Sequence, residues 1–537
     1  MIYSYNQFRN DEYLLKKPGG KWRIEECDND MIQECIDKKL TVVEISFGDE
    51  FNESIKIVSN LVHLESIAFG KRFNKSVKCL SKFTQLKYVV FGEFSKFNQP
   101  IEALAKCTNL RQITFGHHFD KPMTALANCI NLRQITLNND RPLEALAECT
   151  DLRQITFGRY SRFNQPIKAL AKCTNLQQIT FGATFNQRIK ALAKCTNLQQ
   201  ITFGADFNQP IEALAKCTDL QQITFGGTVN QPIVHLADCT NLQQITCGVL
   251  SEFNQPIEAL ASCTDLQQIT FGFWFNQPID ALAKCTDLRQ ITFGGMFDQP
   301  VDALAKCTDL RQITFGEEFD QPIEALAKCT NLRQITFGWR FTQSIEALAN
   351  CTNLQQITFG GGFNRPIEAL ADCTNLQQIT FGWHFNKSIE ALAKCTNLQQ
   401  ITFSGDFNQP IKALAKCTNL RQITFGMFFN QLIEALTNCT NLQQITFETY
   451  SHFNQSVKAL ANCTDLRQIT FCGEFNQPIE ALASCTDLQQ ITFGCKFNQP
   501  IESLAKCICL ETITFEKHSE FNQPTSDIIR KASIKYL

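Results

Sequence analysis

The chain has 537 residues, 50 basic against 52 acidic side chains, a formal net charge of −2 and 44% hydrophobic residues. The charge balance argues against a dedicated nucleic-acid surface, which carries a basic excess, and the hydrophobic content argues against a disordered chain. No stretch approaches the roughly 18 apolar residues of a membrane helix.

The N-terminal residues MIYSYNQFRNDEYLLKKPGG contain no apolar run of signal-peptide length. The expected location is the cytoplasm, with most thiols reduced. Residues 1–41, which include Trp22, Cys27 and Cys35, fit no repeat and read as an N-terminal cap.

From Val42 onward one phrase recurs. Anchored on the first residue of L-x-x-I-x-F, it runs from Val42 to Leu510 in 22 repeats. Sixteen of the 21 steps are 22 residues, four are 24 and one is 20. No linker interrupts them, so residues 42–524 read as one elongated domain. The tail TSDIIRKASIKYL, residues 525–537, reads as a C-terminal cap.

Each repeat has two hydrophobic periods. In LQQITF (198–203), Ile201 and Phe203 alternate with Gln200 and Thr202, the period-two signal of a strand with one buried face. In NQPIEALAKC (208–217), Ile211, Leu214 and Ala215 form an i, i+3, i+4 helical stripe. Pro210 suits the first helical position. Glu212 and Lys216 match the helix dipole and form an i, i+4 pair. Gly204 closes the strand and permits the turn that follows. So short a unit cannot close a core alone, and neighbours must stack. The expected fold is an α/β solenoid of 22 tandem strand-plus-short-helix units, with a parallel strand ladder on its inner face.

Counting from each anchor, positions 6 and 10 hold 40 of the 45 Phe, which makes Phe a core spine. Cys107, Cys129 and their equivalents through Cys507 fill 19 successive repeats. One Cys per repeat lacks the C-x₂₋₄-C spacing of a zinc site, so the column reads as small buried side chains. His117 and His118 fall in a variable slot with no matched carboxylate, and no metal or cofactor is expected. The phosphate-loop, nucleophile-elbow and zinc-protease motifs are absent from the sequence, so no enzyme activity is expected. Gln at position 3 and Thr at position 5, as in Gln200 and Thr202, would give the strand face an uncharged lattice.

The pattern L-x-x-I-x-F, Phe-Asn, I-x-x-L is similar to a leucine-rich repeat. FNQPI, as at Phe97–Ile101, Phe207–Ile211 and Phe497–Ile501, resembles the FNIP repeat of social amoebae and giant DNA viruses of amoebae. The segment Cys195–Ile201 also resembles BspA-like leucine-rich repeats. The resemblance implies a non-catalytic interaction scaffold of amoebal or giant-viral origin, acting in the host cytoplasm if viral. From the charge balance and the lack of an apolar span, no nucleic-acid or membrane partner is expected. Some FNIP proteins carry an F-box, which implies an alternative role as the substrate-recognition subunit of a ubiquitin ligase; the first 41 residues show no match to one. A further alternative is a structural or adhesive array using the Gln/Thr lattice.

Variation inside the chain points to one edge. Positions 8 and 9, just after the strand, change in almost every repeat, and three of the four Trp sit there. Loops on a rigid scaffold commonly carry binding, and exposed Trp and Arg are common interface anchors. The expected partner-binding residues are Phe273, Trp274, Trp339, Arg340, Trp383, His384, Met427 and Phe428, facing a protein whose identity the sequence does not disclose. The longer repeats enlarge the same edge, at residues 93–97, 159–163, 249–253, 448–453 and 516–521. The short repeat trims it at Asn138–Arg141.

Overall fold

The computed structural model describes residues 2–8, 20–525 and 532–536. The chain divides into an N-terminal unit, Met1–Leu266, and a C-terminal unit, Gln267–Leu537. Both are built from the same coil.

In the N-terminal unit the coil strands are short because only Gln-Ile-Thr, sometimes with the following Phe, has ladder geometry. Gln200–Thr202 pairs in parallel with Gln178–Thr180 on one side and Gln222–Phe225 on the other. The register is identity on identity: Gln200 faces Gln178 and Gln222, Ile201 faces Ile179 and Ile223. Ile201 and Phe203 are buried, whereas Gln200 and Thr202 are half-exposed. The ladder does not stop at the first repeat. Lys21–Cys27 pairs in parallel with Thr41–Phe47, and Ile2–Ser4 pairs with Lys21–Cys27. Two strands thus lie within the segment read as the N-terminal cap, together with an α-helix, Asn29–Asp37. Asp28 Oδ1 accepts from the Met31 N–H at 2.8 Å and caps it.

The second half of each coil is a five-residue 3-10 helix, as at Glu212–Lys216, and not an α-helical turn. Ile211, Leu214, Cys217 and Leu220 are all buried, at a spacing of three. The backbone follows that spacing. The N–H groups of Leu214, Cys217 and Leu220 donate to the carbonyls of Ile211, Leu214 and Cys217 at 2.9, 2.8 and 3.0 Å. Three residues per turn place i and i+3 on one face, so Ala215 is only half-buried. For the same reason position i+4 lies a third of a turn from i, and Glu212 and Lys216 form no ion pair among the described residues. Pro210 stands two residues ahead of the helix, because Ile211 is the N-cap. Gly204 has another task than the one its turn suggests: a Cβ there would strike the Gly182 carbonyl of the preceding coil. Close approach of coils requires it.

Phe rings fill the space between strand and helix. The Phe203 and Phe207 centroids lie 4.0 Å apart within a coil, and Phe203 lies 6.1 Å from Phe225 in the next, at 10° between planes. Turns are tied by an Asn ladder. The Asn208 N–H donates to Asn186 Oδ1 at 3.0 Å, and Gln209 Nε2 donates to the same oxygen at 3.1 Å. The ladder runs immediately after the second Phe of each coil.

The C-terminal unit repeats these relations. Its strands run from Gln268–Thr270 to Thr512–Phe515, and Ser533–Tyr536 adds one more parallel strand at the C-terminal edge. Residues 526–531 of the expected C-terminal cap lie outside the described residues. Asp298 and Asp320 replace Asn here, and the Asp320 N–H donates to Asp298 Oδ1 at 2.9 Å. The ladder uses only an acceptor oxygen, so carboxylate and amide serve alike. Among the described residues, no helix is long and apolar enough to cross a membrane.

Candidate functional site

The rim after each strand is held by backbone, not by its side chains. In the C-terminal unit the N–H groups of Arg340, Gly362, His384 and Asp406 donate to the carbonyls of Glu317, Trp339, Gly361 and Trp383 at 2.7–2.9 Å. Each coil's variable slot is therefore bonded to the one before, whatever residue occupies it. That freedom explains why the sequence can vary there.

The structure places all eight expected rim residues on this edge. Trp274, Trp339, Trp383 and Phe428 are exposed at 51%, 55%, 41% and 38%. Arg340 and His384 are also exposed; Phe273 and Met427 are half-buried. They do not form one patch. Phe273 and Trp274 pack edge to face at 5.1 Å. Trp339 and His384 meet edge to face at 6.4 Å, although one coil lies between theirs. Phe428 contacts His452 at 5.2 Å, a residue outside the expected set.

The bulky rings do not simply project. A Cβ on Gly295 would fall on the Phe273 ring, one on Gly361 on the Trp339 indole, and one on Gly405 against the Trp383 indole. Each ring lies across the next coil, on a glycine at the equivalent position. All three glycines are buried although they sit in the exposed slot. Gly405 also has φ +39, a left-handed conformation that favours glycine. Residue-by-residue reading of the sequence missed these glycines. The signal was present as an internal correlation: Phe273, Trp339 and Trp383 are each followed 22 residues later by Gly. Met427 breaks the rule because the next coil there carries the long loop 448–453, with Thr449 in place of glycine; its carbonyl still accepts from that coil, from the His452 N–H at 2.7 Å.

The rim charges are largely paired locally. Arg340 Nε lies 2.9 Å from Glu318 Oε2, and His384 Nδ1 lies 2.9 Å from Asp406 Oδ2. Trp339 and Arg340 border an open groove of about 760 Å³ that also takes in Met296, Asp298, Glu318 and Asp320.

The lengthened loops make another kind of rim. They tuck one Ser away, as with Ser95, Ser161 and Ser251 in the N-terminal unit and Ser451 in the C-terminal unit, all 0% exposed. Ser95 Oγ accepts from the Phe97 N–H at 3.3 Å. Phe94, Tyr160 and Leu250 stand beside these serines in the open. His117 lies between Phe94 and Tyr160, at 5.4 and 6.1 Å, and His118 is exposed.

The Cys column is inert by construction. Cys217 Sγ donates to the Leu192 carbonyl at 3.5 Å, and burial pushes its pKa up to about 12. Cys373 repeats this with the Leu348 carbonyl at 3.4 Å, also pushed up to about 12. A thiol needs its thiolate to act as nucleophile or ligand, and these are held protonated. No group of three or more His, Cys, Asp or Glu among the described residues is placed to hold a metal.

A family model described as the BspA type leucine-rich repeat region matches residues 94–187, 142–267, 190–298, 278–368, 324–435, 391–502 and 433–525. No curated protein matches the sequence. Among solved structures, the chain is similar to CroV588, a circular leucine-rich-repeat protein. The TM-score is 0.57 at 23% identity, over 91% of this chain and 78% of that one. It is also similar to the plant peptide hormone receptor RGFR1 in complex with RGF2, with a TM-score of 0.55 and 12% identity over 96% and 94%. The TLR13–ssRNA13 complex has a TM-score of 0.53 at 10% identity over 92% and 88%. At such identities the likeness is one of fold.

Proposed function

Because the chain belongs to the BspA-type leucine-rich repeat family, we propose that it is a non-catalytic scaffold that binds a protein partner along the rim of its C-terminal unit. The observation that carries this is the seating of exposed rings on matched glycines. Unconstrained drift has no reason to place Gly295, Gly361 and Gly405 under Phe273, Trp339 and Trp383. A half-exposed indole held flat has lost rotamer freedom before any partner arrives, which lowers the entropy cost of binding. Trp274, Arg340, His384, Met427 and Phe428 complete the surface.

Finer readings belong with this one. The FNQPI phrases support an FNIP-type repeat, an amoebal or giant-viral source and a cytoplasmic site of action, and all three are part of the proposal. The Gln/Thr lattice and the ubiquitin-ligase role have less behind them. Gln200 and Thr202 are half-covered by their neighbours, and nothing in the geometry favours a ligase.

Affinity capture with the full chain tests the proposal. The Trp339→Ala/Trp383→Ala double variant is expected to lose a partner that the wild type and a Thr202→Lys variant retain, with thermal unfolding unchanged. Equal capture by the double variant refutes the rim; loss only in Thr202→Lys favours the lattice.

A further inference from the structure

We infer that the segment of the rim from Trp339 to Phe428 docks a proline-rich peptide in the polyproline II conformation. This rests on the rim being the binding surface and names what the surface fits.

Three observations carry it. The first is spacing. Trp339, Trp383 and Phe428 occur on every second coil, with Gly361 and Gly405 on the coils between. Adjacent coils are joined by backbone hydrogen bonds, so alternate coils are roughly 10 Å apart. One polyproline II turn of three residues advances about 9.3 Å. Rings laid on their glycine seats therefore recur at close to the repeat of such a ligand, so that each of its turns would meet one ring.

The second is the hydrogen-bonding supply. The rim offers no free backbone edge, because the N–H groups of Gly362, His384, Asp406 and Phe428 already donate to the preceding coil. A ligand strand could not extend a ladder there. Neither the Trp339 nor the Trp383 indole N–H has an acceptor among the described residues. The rim thus presents side-chain donors and aromatic faces and little else. Proline has no N–H to satisfy, and a polyproline II backbone leaves its carbonyls free to accept. An α-helix has spent its carbonyls internally, so it cannot take up the indole donors through its backbone. Proline-rich segments dock in aromatic-lined grooves on this basis.

The third is charge. Arg340 and His384 are engaged by Glu318 and Asp406. Glu317 is exposed and forms no ion pair among the described residues. The surface carries a surplus carboxylate at the Trp339 end, which suits an Arg or Lys flanking the prolines.

The test is a titration of the full chain with a fluorescein-labelled oligoproline ending in arginine. A Gly/Ser peptide and an amphipathic helical peptide with the same terminal arginine run alongside, and anisotropy is the readout. The oligoproline alone is expected to bind. Trp339→Ala/Trp383→Ala is expected to weaken it at least tenfold. Trp383→Phe, which keeps a ring and removes the N–H, is expected to weaken it several-fold. Matching thermal unfolding curves establish that the variants fold. The inference is overturned if the oligoproline fails to bind, binds the double variant equally, or is matched by the helical or Gly/Ser peptide. A captured partner that depends on the two Trp but is not displaced by excess oligoproline also overturns it, while leaving the rim proposal standing. Capture that ignores the two Trp overturns the rim itself.

Discussion

Phe207 and Trp339 are both aromatic, and both belong to a coil that repeats almost unchanged along the chain. Phe207 is wholly buried, 4.0 Å from Phe203 and 6.1 Å from Phe185. Trp339 is 55% exposed and rests on one glycine. The first ring is held by identical neighbours above and below, so any change is felt by three coils. The second is held by a neighbour of complementary size, and the backbone beneath it is already bonded. Constancy in the body and diversity at the rim thus follow from where the hydrogen bonds are made. The two rims differ in turn. In the N-terminal unit, Tyr160 and Leu250 are 66% and 75% exposed on loops anchored by buried serines. In the C-terminal unit the loop 448–453 repeats that arrangement, with Ser451 buried and Tyr450 73% exposed, whereas Phe273, Trp339 and Trp383 are laid down on glycine.

This contrast can be broken at several points. The largest effect is expected at alkaline pH. Burial raises the ladder thiols, for example Cys217 and Cys373 to about 12, from an ordinary value of 9.0. Below pH 9 the thiols are protonated whether folded or not, and their stabilising difference is fully present. As pH rises from 9 towards 12, only the unfolded chain ionises, and each thiol withdraws about 1.4 kcal/mol per pH unit. Urea midpoints should therefore fall steeply above pH 9; a flat profile would contradict the buried ladder. Phe203→Ala should cost about 3–5 kcal/mol, measured by chemical denaturation. Gly204→Ala should cost about 1–3 kcal/mol, because the Gly182 carbonyl cannot move far. At the rim, Gly361→Ala should displace the Trp339 indole and shift its fluorescence, at a cost below about 1 kcal/mol. Trp339→Ala should change stability by no more than about 0.5 kcal/mol. A larger loss would assign that ring to the core.

Much of this was legible in the sequence. Gln-Ile-Thr-Phe announces a strand, and the two Phe positions announce the spine. What was misread is the helix. Ile211, Leu214, Cys217 and Leu220 spell a period of three, but Ala215 completes an equally good α-helical stripe, and only the i→i+3 hydrogen bonds decide. The strands at Ile2–Ser4 and Lys21–Cys27 were hidden because Lys-Trp-Arg-Ile keeps the alternation and none of the repeat's wording. The eight rim residues were located by variability alone. Their glycine seats were not, because the relation between Trp339 and Gly361 exists only across stacked coils.

The central claim is that the C-terminal rim is there to be touched. It is tested most directly by hydroxyl-radical footprinting of the chain bound to its captured partner. Protection is expected at Trp339, Trp383 and Phe428, with Tyr160 and Leu250 unchanged. Protection confined to the strand face, with both Trp as reactive as in the free chain, would contradict the account.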